Sequence, residues 1–161
     1  MRLRSSADAM AKTSAGILMY RRLQGSLEVL IVHPGGPFWK NKEEGAWSIP
    51  KGEFLPGQDP LKTAKREFKE ELGKAVSGKF VELRPVFQAG GKVVYGWAVE
   101  GNLDTTKILS NEFDLEWPPR SGRFIKVPEV DRAEWVDPAT ARTKLNAAQV
   151  GFVDQLEEIL A

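Results

Sequence analysis

The chain contains no cysteine, which excludes disulfides and thiolate metal sites and makes a reducing, cytoplasmic location the expectation. It has little net charge. Its 23 basic residues nearly balance 22 acidic ones, for a formal charge of +1, so no global electrostatic field points to a nucleic acid polymer or a membrane surface. No apolar run approaches the length of a transmembrane helix. The opening stretch MRLRSSADAM carries two arginines but lacks the apolar segment of a signal peptide. Residues 1–12 are expected to form a flexible extension, with Met10 a candidate alternative start, and residues 13–161 a single domain. Internal repeats and low-complexity segments are absent. The one histidine, His33, ends a strand-like run and reads as structural or as a peripheral substrate contact rather than as a catalytic base.

What is present suits one globular unit. The 161 residues are 42% hydrophobic and 28% charged. Ser14–Tyr20 and Leu27–His33 read as strands around a turn at Leu23–Ser26. Pro34–Gly45 is a loop rich in proline, glycine and charge, and Trp47–Pro50 leads out of it. Phe80–Gln88 and Lys92–Glu100 read as strands around the Ala89-Gly90-Gly91 turn. Leu103–Phe124 reads as irregular, interrupted by Trp117-Pro118-Pro119. Glu134–Val136 is a candidate short strand, and Pro138–Lys144 and Ala147–Leu160 read as helices. Strands on either side of a central helix, with helices at the C-terminus, predict an α/β fold, an α/β/α sandwich around a mixed sheet.

The most informative stretch is GEFLPGQDPLKTAKREFKEELG, residues 52–73. Asp59 and Pro60 are a helix start, and Gly73 is a stop. Leu61, Ala64, Phe68 and Leu72 recur at helical spacing and form an apolar stripe. Glu67, Glu70 and Glu71 fall together beside it. Each like-charge pair at this spacing costs roughly 0.2–0.5 kcal/mol. The helix dipole disfavours acids near a C-terminus as well. Glu70 and Lys74 recover a little as an i,i+4 pair. A solvated charged face must accept both penalties, whereas a bound divalent cation removes them, because hard cations take carboxylate oxygens.

The stretch resembles the Nudix box: Gly, five residues, Glu, seven residues, then Arg-Glu-apolar-any-Glu-Glu-any-Gly-apolar. Gly52, Arg66, Glu67, Phe68, Glu70, Glu71 and Gly73 match in spacing and type. Gln58 stands where the pattern has Glu, and Lys74 where it has an apolar residue. The resemblance implies the Nudix-type sandwich and hydrolysis of a nucleoside diphosphate linked to another moiety, by water attack at phosphorus with Mg²⁺ or Mn²⁺. It implies Glu67, Glu70 and Glu71 as metal ligands, Lys51 as donor of a backbone carbonyl to the metal, and Glu67 or a nearby acid as acceptor of the water proton. Arg66 would orient Glu67 from behind.

Beyond the box, Glu129 resembles the extra acid that such sites recruit from a later segment, with Glu112 and Glu116 as competitors. Arg120 and Arg123, with Lys126, offer guanidinium and ammonium groups to distal phosphates. Phe38, Trp39, Trp47, Tyr95, Trp97 and Trp117 are candidates to stack a base, Phe38 and Trp39 foremost because their loop favours exposure. Lys40, Lys42 and Lys51 would add positive charge at the mouth of the site. The Trp47-Ser-Ile-Pro-Lys-Gly, Lys92–Trp97 and Trp117–Gly122 segments are similar to small bacterial nucleoside triphosphate pyrophosphohydrolases of the family, and more distantly to diadenosine tetraphosphate hydrolases. The expected substrate is a nucleoside or dinucleoside polyphosphate, acted on by a monomer or homodimer. The alternatives are sanitation of oxidised nucleoside triphosphates in a MutT-like role, and a non-catalytic nucleotide-binding regulator, which only Gln58 favours.

Overall fold

A computed structural model describes residues 12–161. The expected extension therefore lies outside the described residues, apart from Lys12, whose carbonyl accepts a hydrogen bond from the Val93 N–H at 2.9 Å.

Two long strands form the centre. β1 (Thr13–Leu23) and β2 (Ser26–Pro34) pair antiparallel near their hairpin, from Tyr20↔Val29 to Leu23↔Ser26. Lower down they part. The segment after Trp47 fills the gap, where Ser48 exchanges hydrogen bonds with Val32 and the Pro50 carbonyl accepts from Ile17. It ends in β3 (Lys51–Glu53), paired antiparallel with β1 through Ala15↔Gly52. The box glycine is thus wedged into the middle of the sheet.

The helix α1 (Pro60–Leu72) follows. The Asp59 carboxylate accepts from the Leu61 N–H, and Gly73 ends the helix in the left-handed region at φ 75°. Two short strands, β4 (Val81–Glu82) and β5 (Val86–Gln88), pair with β6 (Lys92–Glu100), which runs parallel to β1 along its whole length. β7 (Glu112–Glu116) and β8 (Phe124–Pro128) form a separate two-stranded arm. β9 (Val130–Val136) closes the sheet beside β2. Two helices, α2 (Pro138–Lys144) and α3 (Val150–Leu160), end the chain. The main sheet runs β4-β6-β1-β2-β9. Its mixed pairing, with helices on both faces, gives the expected α/β/α sandwich.

Alternation of side chains explains the two layers. Ala15, Ile17 and Met19 of β1, with Leu30 and Val32 of β2, face α1 and pack against Ala64, Phe68 and Leu72. Leu18, Val29 and Ile31 point the other way, to Phe152, Val153 and Leu156 of α3. Both faces of the central strands are buried, so they read as continuous apolar runs.

The strand expected over Phe80–Gln88 is broken into β4 and β5, because Pro85 cannot donate to a ladder and Arg84 turns its N–H and carbonyl to the Gln155 side chain instead. The stretch expected to be irregular contains β7, and the short strand expected at Glu134 begins at Val130. Ala147–Gln149 is a 3₁₀ turn leading into α3, where helix was expected from Ala147. Gln149, buried, accepts from the Ile49 N–H and donates to Ser48 Oγ and Gln88 Oε1. It fixes the wedge from the face opposite α1.

Candidate active site

Three acids converge where α1 meets the wedge and the start of β9. Carboxylate oxygens of Glu67, Glu71 and Glu129 lie within 4.8 Å of one another. Glu67 and Glu71 come from the last turns of α1, and Glu129 from the single residue between β8 and β9. Of the three candidates for a late acid, the structure brings in Glu129 alone. Glu112 is exposed on the arm, and Glu116 accepts from the Gly122 N–H at 2.8 Å. Glu70 lies just outside the group of three. Arg66 holds it, with Nε 3.4 Å from Glu70 Oε2, and the same guanidinium places Nη2 3.5 Å from Glu67 Oε2. Arg66 thus stands beside both carboxylates.

Gly52 explains how Glu67 gets close to the sheet. A Cβ on Gly52 would sit 2.1 Å from the Glu67 carboxyl carbon. Only a residue without a side chain lets that carboxylate lie against the strand. The requirement is space, not an unusual backbone angle.

The local field is hostile to charge. Glu71 is nearly enclosed, and burial first, then the carboxylates of Glu67 and Glu129, push its pKa up to about 9, against the opposing effect of the Lys51 ammonium and backbone. Burial, then Glu70 and Glu129, raises Glu67, with Arg66 opposing. Burial and then Glu70 raise Glu129. Burial lowers the Lys51 ammonium, with Glu71 acting against that shift. The donor set is therefore three hard oxygen ligands short of positive charge. It fits Mg²⁺ or Mn²⁺ and offers nothing to a softer metal.

Lys51, Glu71 and Glu129 line a cleft of about 150 Å³ with Val32, Pro34, Ser48, Ile49 and Val130. Phe38 and Trp39 are exposed in the loop after β2, edge to face at 4.9 Å, with the Lys42 ammonium 3.6 Å above the Phe38 ring. His33, fully buried, anchors that loop. Its Nε2 lies 2.8 Å from the Lys42 carbonyl and its Nδ1 2.8 Å from Asp131 Oδ1. Trp47, weighed as a stacking residue, is fully buried beneath His33, Arg132 and Lys144 and unavailable to a base. Trp97 and Tyr95 are partly buried in β6, as is Trp117 after β7. Arg120 and Arg123 sit in the exposed turn of the arm, whereas Lys126 is paired with Asp114 at 2.8 Å. At about 3.4 Å per residue, five steps separate Glu129 from Phe124, roughly 17 Å of strand.

Gln58, the departure from the box, has a local task. Its Oε1 accepts from the Leu55 N–H at 2.7 Å, and its own N–H donates to the Leu55 carbonyl at 3.0 Å. The pair closes the loop before α1. A glutamate would accept the same N–H.

A family model described as NUDIX domain matches residues 10–156. Among curated proteins, the asymmetrical bis(5'-nucleosyl)-tetraphosphatase of Caenorhabditis elegans is 37% identical over 62 residues, which span 38% of this chain and 41% of that protein's length. Among solved structures, a C. elegans Ap4A hydrolase binary complex is similar at TM-score 0.65 and 22% identity, over 92% of this chain and 97% of that one. The NUDIX domain of Shewanella oneidensis NrtR, complexed with ADP ribose, gives TM-score 0.66 at 15% identity, over 99% and 95%. At these identities the solved structures show a shared fold.

The electrostatics set a pH dependence. With its pKa raised to about 9, Glu71 binds a proton in the metal-free folded protein that the unfolded chain releases near the ordinary carboxylate value. That stabilisation is complete at acid pH and is lost as pH rises through about 9. Glu71→Gln keeps the acceptor and cannot ionise. At pH 8 in a chelator it is expected to raise stability by at least about 1 kcal/mol, about 2–4 °C in melting temperature, and to flatten the alkaline decline. A lower melting temperature for the metal-free variant at pH 8 would contradict this electrostatic reading. Gln58→Glu is expected to change melting temperature and turnover by less than about twofold in the equilibrium or rate, since the bond to Leu55 is retained. A folded but inactive Gln58→Glu would show that position 58 does more than close its loop.

Proposed function

The chain belongs to the NUDIX family, and from that membership we propose that it is a divalent-metal-dependent pyrophosphohydrolase acting on a phosphoanhydride bond of a nucleoside or dinucleoside polyphosphate. The observation that carries the reading is the convergence of Glu67, Glu71 and Glu129 within 4.8 Å, with Glu71 and Glu129 in the lining of a cleft. These three would hold Mg²⁺ or Mn²⁺, with Glu70 beside them and the Lys51 carbonyl as a further oxygen. The metal, when bound, neutralises phosphate oxygens and acidifies water.

The rest of the chemistry belongs to the chain. Water attacks phosphorus, a P–O bond forms, and the bridging P–O bond breaks with the leaving phosphate carrying away the electron pair. Glu67, its pKa raised by burial and neighbouring acids, is the acid suited to take the water proton. Arg66 limits where that carboxylate can turn. The Lys51 ammonium, in the wall of the cleft, offers a positive charge to the phosphate chain.

Size bears on the substrate. A cleft of about 150 Å³ takes a phosphate group but not a nucleoside. The nucleoside then lies outside, where Phe38 and Trp39 stand exposed with Lys42 beside them. Arg120 and Arg123 lie beyond Phe124, itself roughly 17 Å of strand from Glu129, and suit the far end of a long substrate and not the phosphate under attack. The partial relative is a bis(5'-nucleosyl)-tetraphosphatase, which supports a substrate with two ends.

The test is a hydrolysis screen with Mg²⁺ and with Mn²⁺ across nucleoside triphosphates, oxidised triphosphates, dinucleoside polyphosphates and nucleotide sugars, with products resolved by chromatography. Dinucleoside polyphosphates are expected to be cleaved, with a loss of about 10²-fold or more in Glu71→Gln. Selective cleavage of oxidised triphosphates would favour the sanitation role instead. Tight nucleotide binding without turnover of any class would favour a binding protein.

A further inference from the structure

Leu109, Ser110 and Asn111, the residues just before β7, form a strap that joins the two sources of the acid cluster. The Leu109 N–H donates to the Leu72 carbonyl at 3.1 Å, and the Asn111 N–H donates to the Glu70 carbonyl at 2.7 Å. Both acceptors are among the carbonyls that a helix C-terminus leaves without an intrahelical partner. On its other side the strap holds the Glu129 segment. The Asn111 carbonyl accepts from the Glu129 N–H at 2.8 Å, and Ser110 Oγ accepts from the Val130 N–H at 3.0 Å while donating to the Asn111 carbonyl at 3.1 Å. The Glu129 carbonyl in turn accepts from the Gly35 N–H at 3.1 Å. Gly73 leaves room for the strap, since a Cβ there would lie 2.8 Å from the Leu109 carbonyl oxygen.

We propose that Ser110 is a positioning residue of the metal site, which sets the place of Glu129 relative to Glu67 and Glu71 by gripping the Val130 N–H. The reason is geometric. Glu67 and Glu71 are fixed to each other by the helix, but Glu129 arrives from a different part of the chain and lies between two strands of different sheets. Nothing in α1 holds it directly. The links to α1 run through Asn111, whose contribution is made by its backbone, and through the Ser110 hydroxyl, which braces the same Asn111 carbonyl and grips the next residue of the Glu129 segment. Of these contacts only the hydroxyl belongs to a side chain, so it is the one that a substitution removes without altering the backbone. Three like-charged ligands push apart, and a brace outside the ligand set resists that push.

This inference rests on the metal reading of the cluster, and the test separates the two. Mn²⁺ binding is measured by calorimetry and by electron paramagnetic resonance, alongside melting temperature in chelator, for wild type, Ser110→Ala, Ser110→Thr, Glu129→Gln and the Ser110→Ala/Glu129→Gln double variant. Ser110→Ala is expected to weaken Mn²⁺ binding about tenfold or more. Ser110→Thr keeps the hydroxyl and should restore it. In the Glu129→Gln background, Ser110→Ala should have no further effect on affinity, because the residue it places no longer carries charge. Should Ser110→Ala fail to fold, Ser110→Cys, of similar size and a weaker acceptor, serves the same comparison. Wild-type Mn²⁺ affinity in Ser110→Ala, or an equal loss of affinity in both backgrounds, overturns the inference. Absence of Mn²⁺ binding by the wild type overturns the metal reading itself.

Discussion

Repulsion among three carboxylates is the constraint around which this molecule is arranged. Glu67, Glu71 and Glu129 share a space of 4.8 Å, partly shielded from water, with Lys51 as the cation of the cleft wall. Such a group is expensive to build, since each charge loses solvation and faces two of its own sign. The surrounding structure reads as the means of building it. The helix presents two acids in succession on one side. The wedge from Ser48 to Glu53 parts β1 from β2 and brings a glycine under Glu67. Gln149 holds the wedge from the other face, and the strap at Ser110 and Asn111 carries the third acid to its place. In the absence of metal, protonation of Glu71 relieves the crowding. A bound divalent cation would do the same.

The same arrangement separates the residues proposed for recognition from those proposed for chemistry. The acids and Lys51 sit on or between elements of the packed core, whereas Phe38, Trp39, Arg120 and Arg123 sit on a loop and an arm. Loops and arms can change without disturbing the core. His33 is where the two regimes touch. It is buried in the sheet, yet one ring nitrogen meets the loop at Lys42 and the other meets Asp131, two residues beyond Glu129.

The box and the helix were legible in the sequence because their signals are local. Asp59, Pro60 and Gly73 mark the ends of α1, and the apolar stripe marks its inner face. The two central strands were legible because both faces are buried and the runs are almost wholly apolar. The arm was not. Glu112–Glu116 alternates acid with Phe113 and Leu115, beside a proline-rich turn, and becomes a strand only by pairing with Phe124–Pro128. The strap was invisible for the same reason, since Ser110 and Asn111 read as turn residues and their partners in α1 and the Glu129 segment lie 18 or more positions away. Glu129 stood out in sequence only through its resemblance to a late family segment, ahead of Glu112 and Glu116, and the fold places its carboxylate with those of Glu67 and Glu71. Trp47 stands among the stacking candidates because a fully buried tryptophan and a stacking one look alike in sequence.

Metal titration calorimetry of the wild-type protein at pH 8, repeated in buffers of different ionisation enthalpy, tests the central claim most directly. If Glu71 is protonated in the metal-free cluster, Mg²⁺ or Mn²⁺ must displace that proton, and the account predicts release of close to one proton per site, abolished in Glu71→Gln. Metal binding with the same heat in every buffer would show that the acids are already ionised, and would contradict the claim that their crowding is relieved by protonation until a cation arrives.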